Sequence, residues 1–144
     1  MAQVRSTLAL IRMGAGRYAD AEAEIRLAMD ILVKAMGPDH PALVRPFINL
    51  AVIERHLGGL SEAEATLKTA RTIAERRLGP AHPRTVEVLT EYATLLKSAG
   101  RKREAGSLEK LVKSAQAEQK DGHPGQYTVD VAELRAARVM AAGK

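Results

Sequence analysis

The chain has 144 residues, of which 46% are hydrophobic, and it carries a net charge of +5, no cysteine and no tryptophan. That length suits one domain with its own core, and the apolar content excludes a disordered chain. The missing cysteine excludes disulfide frameworks, thiolate zinc sites and cysteine nucleophiles.

Aromatic residues make up only 3% of the chain, so the core is built from Ala, Leu, Ile and Val, a mixture that favours closely packed helices. No stretch approaches the roughly 18 apolar residues of a membrane span. Arg12 interrupts the first apolar run, which argues against a signal peptide, and a cytoplasmic location is expected. The positive charge reads as a solvated helical surface with a small excess of arginine.

In chain order, apolar periodicity predicts helices over about 2–14 and 17–36. The stretch "GPDHP" at Gly37–Pro41 then stops the chain, and Pro41 opens a third helix, about 41–57. Gly58 and Gly59 end it. Ser61 is the expected N-cap of the next helix, 61–78, with Glu64 completing a capping box. "GPAHP" at Gly79–Pro83 repeats the stop. Pro83 opens a fifth helix, about 83–99, and a sixth follows at 101–119. Beyond Lys120 come a loop at Gly122, Pro124 and Gly125 and a short helix, about 131–142, capped by Asp130 with Glu133. This last segment is expected to serve as a cap or as a partner-binding tail.

The two proline stops lie 42 residues apart, and the same offset aligns much else. Gly16, Gly58 and Gly100 fall in register, as do Ala9, Ala51 and Ala93, and Ala21, Ala63 and Ala105. Each unit is therefore a hairpin of a helix A and a helix B. The alanine rows mark where the two helices approach, since a methyl-sized side chain permits a short separation.

The pattern "NLAVIERHLGGLSEAEATLKTARTIAERRLGPAHP" resembles the tetratricopeptide repeat in its long, 42-residue form, found in kinesin light chains. The resemblance covers about residues 2–119 and implies an all-α, right-handed superhelix. It divides the chain into a repeat domain over 1–120, with repeats at about 1–40, 41–82 and 83–120, and a segment 121–144. One departure is clear. The helix A position that holds a tyrosine in the family is here Arg12, Glu54 and Leu96, so the local chemistry should differ.

Candidate chemistry is sparse. His40, His82 and His123 recur near the repeat spacing, but equivalent residues of stacked repeats sit about 10 Å apart, whereas zinc needs nitrogens at about 2 Å. They are expected to be turn histidines whose ring nitrogen accepts from a helix N–H, so the role of His82 is geometric. His56 has no evident chemical partner. Glu22 with Glu24 and Glu62 with Glu64 are first-turn charges, since neighbours two apart on a helix diverge. No metal, cofactor or catalytic set is expected. The basic run around Arg101, Lys102 and Arg103 lacks the interleaved aromatics of single-strand readers.

What remains is the helix A face. The resemblance implies a concave surface lined by Gln3, Ser6, Leu10 and Met13, then Arg45, Ile48, Asn49, Val52 and Arg55, then Glu87, Thr90, Glu91, Thr94 and Lys97. It also implies that Asn49 can hold a bound peptide's backbone, because an amide donates and accepts at once. Glu87 and Glu91 stand where chaperone-binding relatives clamp a carboxylate, which argues against that ligand. The mixed charge suggests a mixed-charge ligand. The expected function is a non-enzymatic interaction module for a peptide, helix or subunit. The alternatives are an accessory subunit packed into a larger complex and, more weakly, a nucleic-acid-associated module.

Overall fold

A computed structural model describes residues 1–121 as six α-helices with no strand among them. These are α1 (Ala2–Gly14), α2 (Tyr18–Met36), α3 (Val44–His56), α4 (Leu60–Arg77), α5 (Pro83–Ser98) and α6 (Lys102–Asp121). They pair as hairpins α1–α2, α3–α4 and α5–α6, and α2 packs on α3 as α4 packs on α5. The three first helices, α1, α3 and α5, also meet in sequence, so the molecule carries a continuous helix A side. The loop, capping pair and short helix expected beyond residue 121, with His123, lie outside the described residues.

The alanine rows do what their size predicts. Ala9, Ala51 and Ala93 of the A helices and Ala21, Ala63 and Ala105 of the B helices are all buried, none more than 3% exposed. They lie inside two apolar clusters. The smaller joins Ala9, Ala21, Ile25, Leu50 and Ile53 at the first stacking junction. The larger runs from Val44 and Ile48 of α3 through Leu67 and Ile73 of α4 to Leu89, Tyr92 and Leu108 of the last hairpin.

The turns are set by backbone conformation. Gly37, which ends α2, has φ 89° and ψ 165°, a region open essentially only to glycine. Gly58, in the turn between α3 and α4, has φ 85°. After Gly79, the Thr85 hydroxyl donates to the Gly79 carbonyl at 2.7 Å and ties the turn to α5. The first such turn is held from α4 instead, by Arg76 Nη1 on the Asp39 carboxylate at 3.1 Å and Arg77 Nε on the Asp39 carbonyl at 3.2 Å.

Two local expectations change. The third helix does not run unbroken from residue 41. A 3-10 turn spans Pro41–Leu43, and the α-helix starts at Val44. Pro46 is the cause: it lacks the N–H that an α-helix begun at 41 would use, but within the first turn of α3 none is needed. The equivalent residue of the third repeat is Val88, and α5 is continuous from Pro83. The second correction concerns the capping box. The N-cap of α4 is Gly59, and no side chain caps it. Ser61 is exposed within the helix. A Cβ on Gly59 would lie 2.9 Å from Glu62 Oε2, so Glu62 is the carboxylate of this first turn and Glu64 is free to reach elsewhere.

The tyrosine position of the family takes three different solutions. Arg12 Nη2 faces Glu24 at 3.6 Å. Glu54 Oε2 accepts from the Thr66 hydroxyl at 2.7 Å. Leu96 and Leu108 meet in the apolar core. Each pair joins helix A to helix B of one hairpin at equivalent positions, so one geometry is filled by an ion pair, a hydrogen bond and an apolar contact in turn.

Candidate binding face

The helix A side brings together part of the expected set. Arg45 Nη2 of α3 lies 3.6 Å from Glu87 Oε2 of α5, and Arg55 Nη2 lies 3.8 Å from Glu91 Oε2. These two cross-repeat pairs neutralise most of the charge that suggested a mixed-charge ligand. Lys97 pairs with Glu109 of α6. The hydroxyls of Thr90 and Thr94 donate to their own helix, at the carbonyls of Val86 (2.8 Å) and Thr90 (2.9 Å). Val52 is half-buried.

Ile48 does not belong to this face. It is 3% exposed and packs in the larger core. The helix A of the middle repeat is covered by neighbours on both sides, whereas the equivalent Ser6 and Thr90 lie in flanking repeats and keep more exposure.

A cavity of about 540 Å³ lies at the first-repeat end of the face. Its walls are Gln3, Ser6, Thr7 and Leu10 of α1, Leu32 of α2, Arg45, Pro46 and Asn49 of α3, and Leu78, His82 and Arg84 around the start of α5. Of the ten expected helix α3 and α5 residues, only Arg45 and Asn49 line it. Its apolar floor and convergent polar groups are the usual anatomy of a ligand site. No carboxylate lines it, while two arginines and a histidine do. Arg45 is already met by Glu87 at 3.6 Å, so the positive charge of the cavity rests mainly on Arg84.

His82 and Arg84 were not expected here. The turn reading holds for His40 and His82: His82 Nδ1 accepts from the Arg84 N–H and His40 Nδ1 from the Ala42 N–H, each at 3.0 Å. With Nδ1 accepting, a neutral ring carries its proton on Nε2. In His82 that capping geometry also sets the ring into the cavity wall. The sequence signal was present in the repeat itself, because the turn ahead of one helix A flanks the next helix A. His56 also gains a partner: its ring stacks on Tyr18 with centroids 4.4 Å apart, and Nδ1 lies 2.8 Å from the Val52 carbonyl. Nothing in residue spacing marks that contact.

One cation of the basic run is held in ion pairs. Arg101 donates to Glu64 at 2.8 Å and also to Glu104. The Arg101 guanidinium holds the Glu64 and Glu104 carboxyls below the usual carboxylate range. Lys102 and Arg103 remain exposed. No group of three potential metal ligands occurs among the described residues, and no helix there is long and apolar enough to cross a membrane.

Comparison with known proteins agrees with this architecture. The tetratricopeptide repeat family model matches residues 1–76 and 45–112. Crystal structures of nearly identical TPR-like repeats from a Podosopora anserina protein assigned as a kinesin light chain superpose with a TM-score of 0.73, at 23% identity over 81% of this chain and 55% of theirs. BtubC (BKLC) from P. vanneervenii superposes with a TM-score of 0.70, at 24% identity over 92% of this chain and 50% of that one. The chain thus spans about half the length of the solved chains it resembles. Among curated proteins no match was found.

Proposed function

The chain belongs to the tetratricopeptide repeat family, and on that premise we propose that it is a non-enzymatic module that binds a protein segment along its helix A face. Repeats of this family mediate protein–protein interaction. The observation that carries the reading is the cavity, where Asn49 and Gln3 offer amides, Arg84 offers a cation, and Leu10, Leu32 and Leu78 offer an apolar lining. An extended peptide needs these together: amides for its backbone, a pocket for a side chain, and charge for an anionic group. The Arg45–Glu87 and Arg55–Glu91 pairs hold α3 and α5 in register beside it.

The test is affinity capture from native lysate, read by mass spectrometry. The bait is the wild-type chain, beside Asn49→Ala with Arg84→Glu. Both positions are only part-buried, so the variant should keep its circular dichroism and melting temperature. Loss of the captured proteins at least tenfold is expected. Equal capture by a folded variant would remove the cavity from the function. Captured partners whose retention falls steeply with salt and that vanish on nuclease treatment would instead favour the nucleic-acid reading.

A further inference from the structure

The outer side of α6 departs from a pattern that the other two B helices keep. In α2, Glu22 pairs with Arg26 at 2.7 Å. In α4, Glu64 pairs with Lys68 at 3.4 Å, and Arg71 with Glu75 at 2.8 Å. The 42-residue register carries the two α4 cations into α6 as Lys110 and Lys113. It places Gly106 where Glu22 and Glu64 stand, and Ala117 where Glu75 stands. Lys102, Arg103 and Lys120 add three more cations. Residues 103, 106, 110, 113, 117 and 120 recur every three or four positions and share one helix face, a row about 26 Å long.

All five cations are exposed, and among the described residues none is in an ion pair. Of the acids of α6, Glu104 meets Arg101 and Glu109 meets Lys97. Glu118 falls outside the spacing of the row, and Asp121 follows its last cation. The row stays open whatever lies beyond α6. Its equivalents in α4 keep solvent contact with a hairpin stacked on them: Leu60, Ser61 and Lys68 are exposed, and Arg71 and Leu78 are half-buried.

We propose that this row binds the phosphate backbone of double-stranded nucleic acid, without reading its bases. Lysine and arginine are the usual contacts to phosphate, and a duplex is a dense line of negative charge. The row is a line as well. The matching cations of α2 and α4 are neutralised within their own helices, whereas a bilayer would meet charge spread over neighbouring helices. The row holds no apolar side chain larger than Ala117. It therefore lacks the residues that a membrane-lying helix buries and the anchors of a protein interface. No aromatic residue stands in α6, so a single strand finds no stacking platform. Gly106 and Ala117 let a phosphate strand come close between the lysines. The row shares no residue with the cavity, so the inference stands apart from the peptide reading; variants at Asn49 and Arg84 test only the latter.

The experiment is fluorescence anisotropy of a labelled DNA duplex of arbitrary sequence, titrated with the full chain. Affinity should fall steeply with salt, with a log–log slope of about −4.5 for five phosphate contacts. Lys110→Gln should reduce that slope by about 0.9. Gly106→Glu with Ala117→Glu restores the acids of α4 and leaves every cation in place. A Cβ at Gly106 meets nothing within 4 Å, so this variant should keep its melting temperature while its affinity falls at least tenfold. Ser61→Glu with Thr69→Glu adds the same charge at exposed positions of α4 and should change affinity less than twofold. No duplex binding in dilute salt, a slope unchanged by Lys110→Gln, or equal losses in the two double variants would each overturn the assignment. So would binding to phosphatidylserine-containing vesicles but not to the duplex, because it would give the row to a lipid surface.

Discussion

The junction of α2 with α3 and the junction of α4 with α5 share one backbone plan and differ in chemistry. At the first, the apolar cluster is small and the polar link runs inward: Arg26 bridges Glu22 at 2.7 Å and the buried Glu54 at 3.3 Å. At the second, the cluster spans four helices, and the link runs through Glu64, which accepts from the hydroxyl of the buried Tyr92 at 3.1 Å and from Arg101 at 2.8 Å. Stacking therefore depends on the small residues that set helix separation. The polar residues around them are free to vary, provided each buried group finds a partner.

The largest contrast should come from the equivalent core residues Ile25 and Leu67, both at most 2% exposed. Truncation to Ala should cost about 2–5 kcal/mol at either site, measured by urea unfolding. Leu67→Ala should cost more, because it leaves a hole enclosed by helices on every side, whereas the first junction can collapse toward the open α1 end. Equal losses would mean that the junctions are mechanically alike.

The turn glycines give the next effect. Gly37→Ala should cost about 1–3 kcal/mol, since its φ and ψ lie where a side chain is strained. Nothing lies within 4 Å of the added Cβ, so the loss reports backbone conformation alone. A melting temperature unchanged by this substitution would show that the turn relaxes.

The capping histidines should differ in a second property. His40→Ala and His82→Ala each remove one acceptor from a helix start and should cost about 1 kcal/mol. Only His82 lines the cavity, so only His82→Ala should also weaken capture of a bound segment. Parallel binding losses in both variants would mean that the effect travels through stability.

The smallest effects separate the two carboxylates by pH. Burial raises the Glu54 pKa above its ordinary 4.5, against the opposing pull of Thr66 and Arg26. The folded state then holds this proton more tightly than the unfolded chain, so the Glu54 contribution falls as pH rises through and above 4.5. Glu64 is the reverse: Arg101 lowers its pKa, so its contribution is present above 4.5 and lost as pH falls through the lowered value. Glu64→Gln should cost less than about 1 kcal/mol at pH 7 and nothing at low pH. Glu54→Gln should flatten the decline that accompanies rising pH. Thermal melts from pH 3 to 7 distinguish the two, and matching profiles would show that both sites behave as exposed carboxylates.

Much of the fold could be read from residues alone. The 42-residue offset, the glycine stops, the prolines and the alanine rows located all six helices to within a few residues. The departures have particular causes. Pro46 converts the start of the third helix into a 3-10 turn, and Gly59 displaces Ser61 as a cap. The binding face was less legible. Register placed Arg45, Asn49, Glu87 and Glu91 on one side, but not the pairing of Arg45 with Glu87 and Arg55 with Glu91, the burial of Ile48, or the entry of His82 and Arg84 into a cavity wall.

The division has a physical basis. Helix periodicity, turn conformation and the small-residue spacing of a hairpin act over a few residues up to one repeat, so the sequence by itself determined the family, the hairpins and their stacking order. Side chains 28 to 42 residues apart meet only after the hairpins stack. Tertiary structure alone decided which charges cancel, which apolar residues the middle repeat covers, and which turn residues enter a cavity wall.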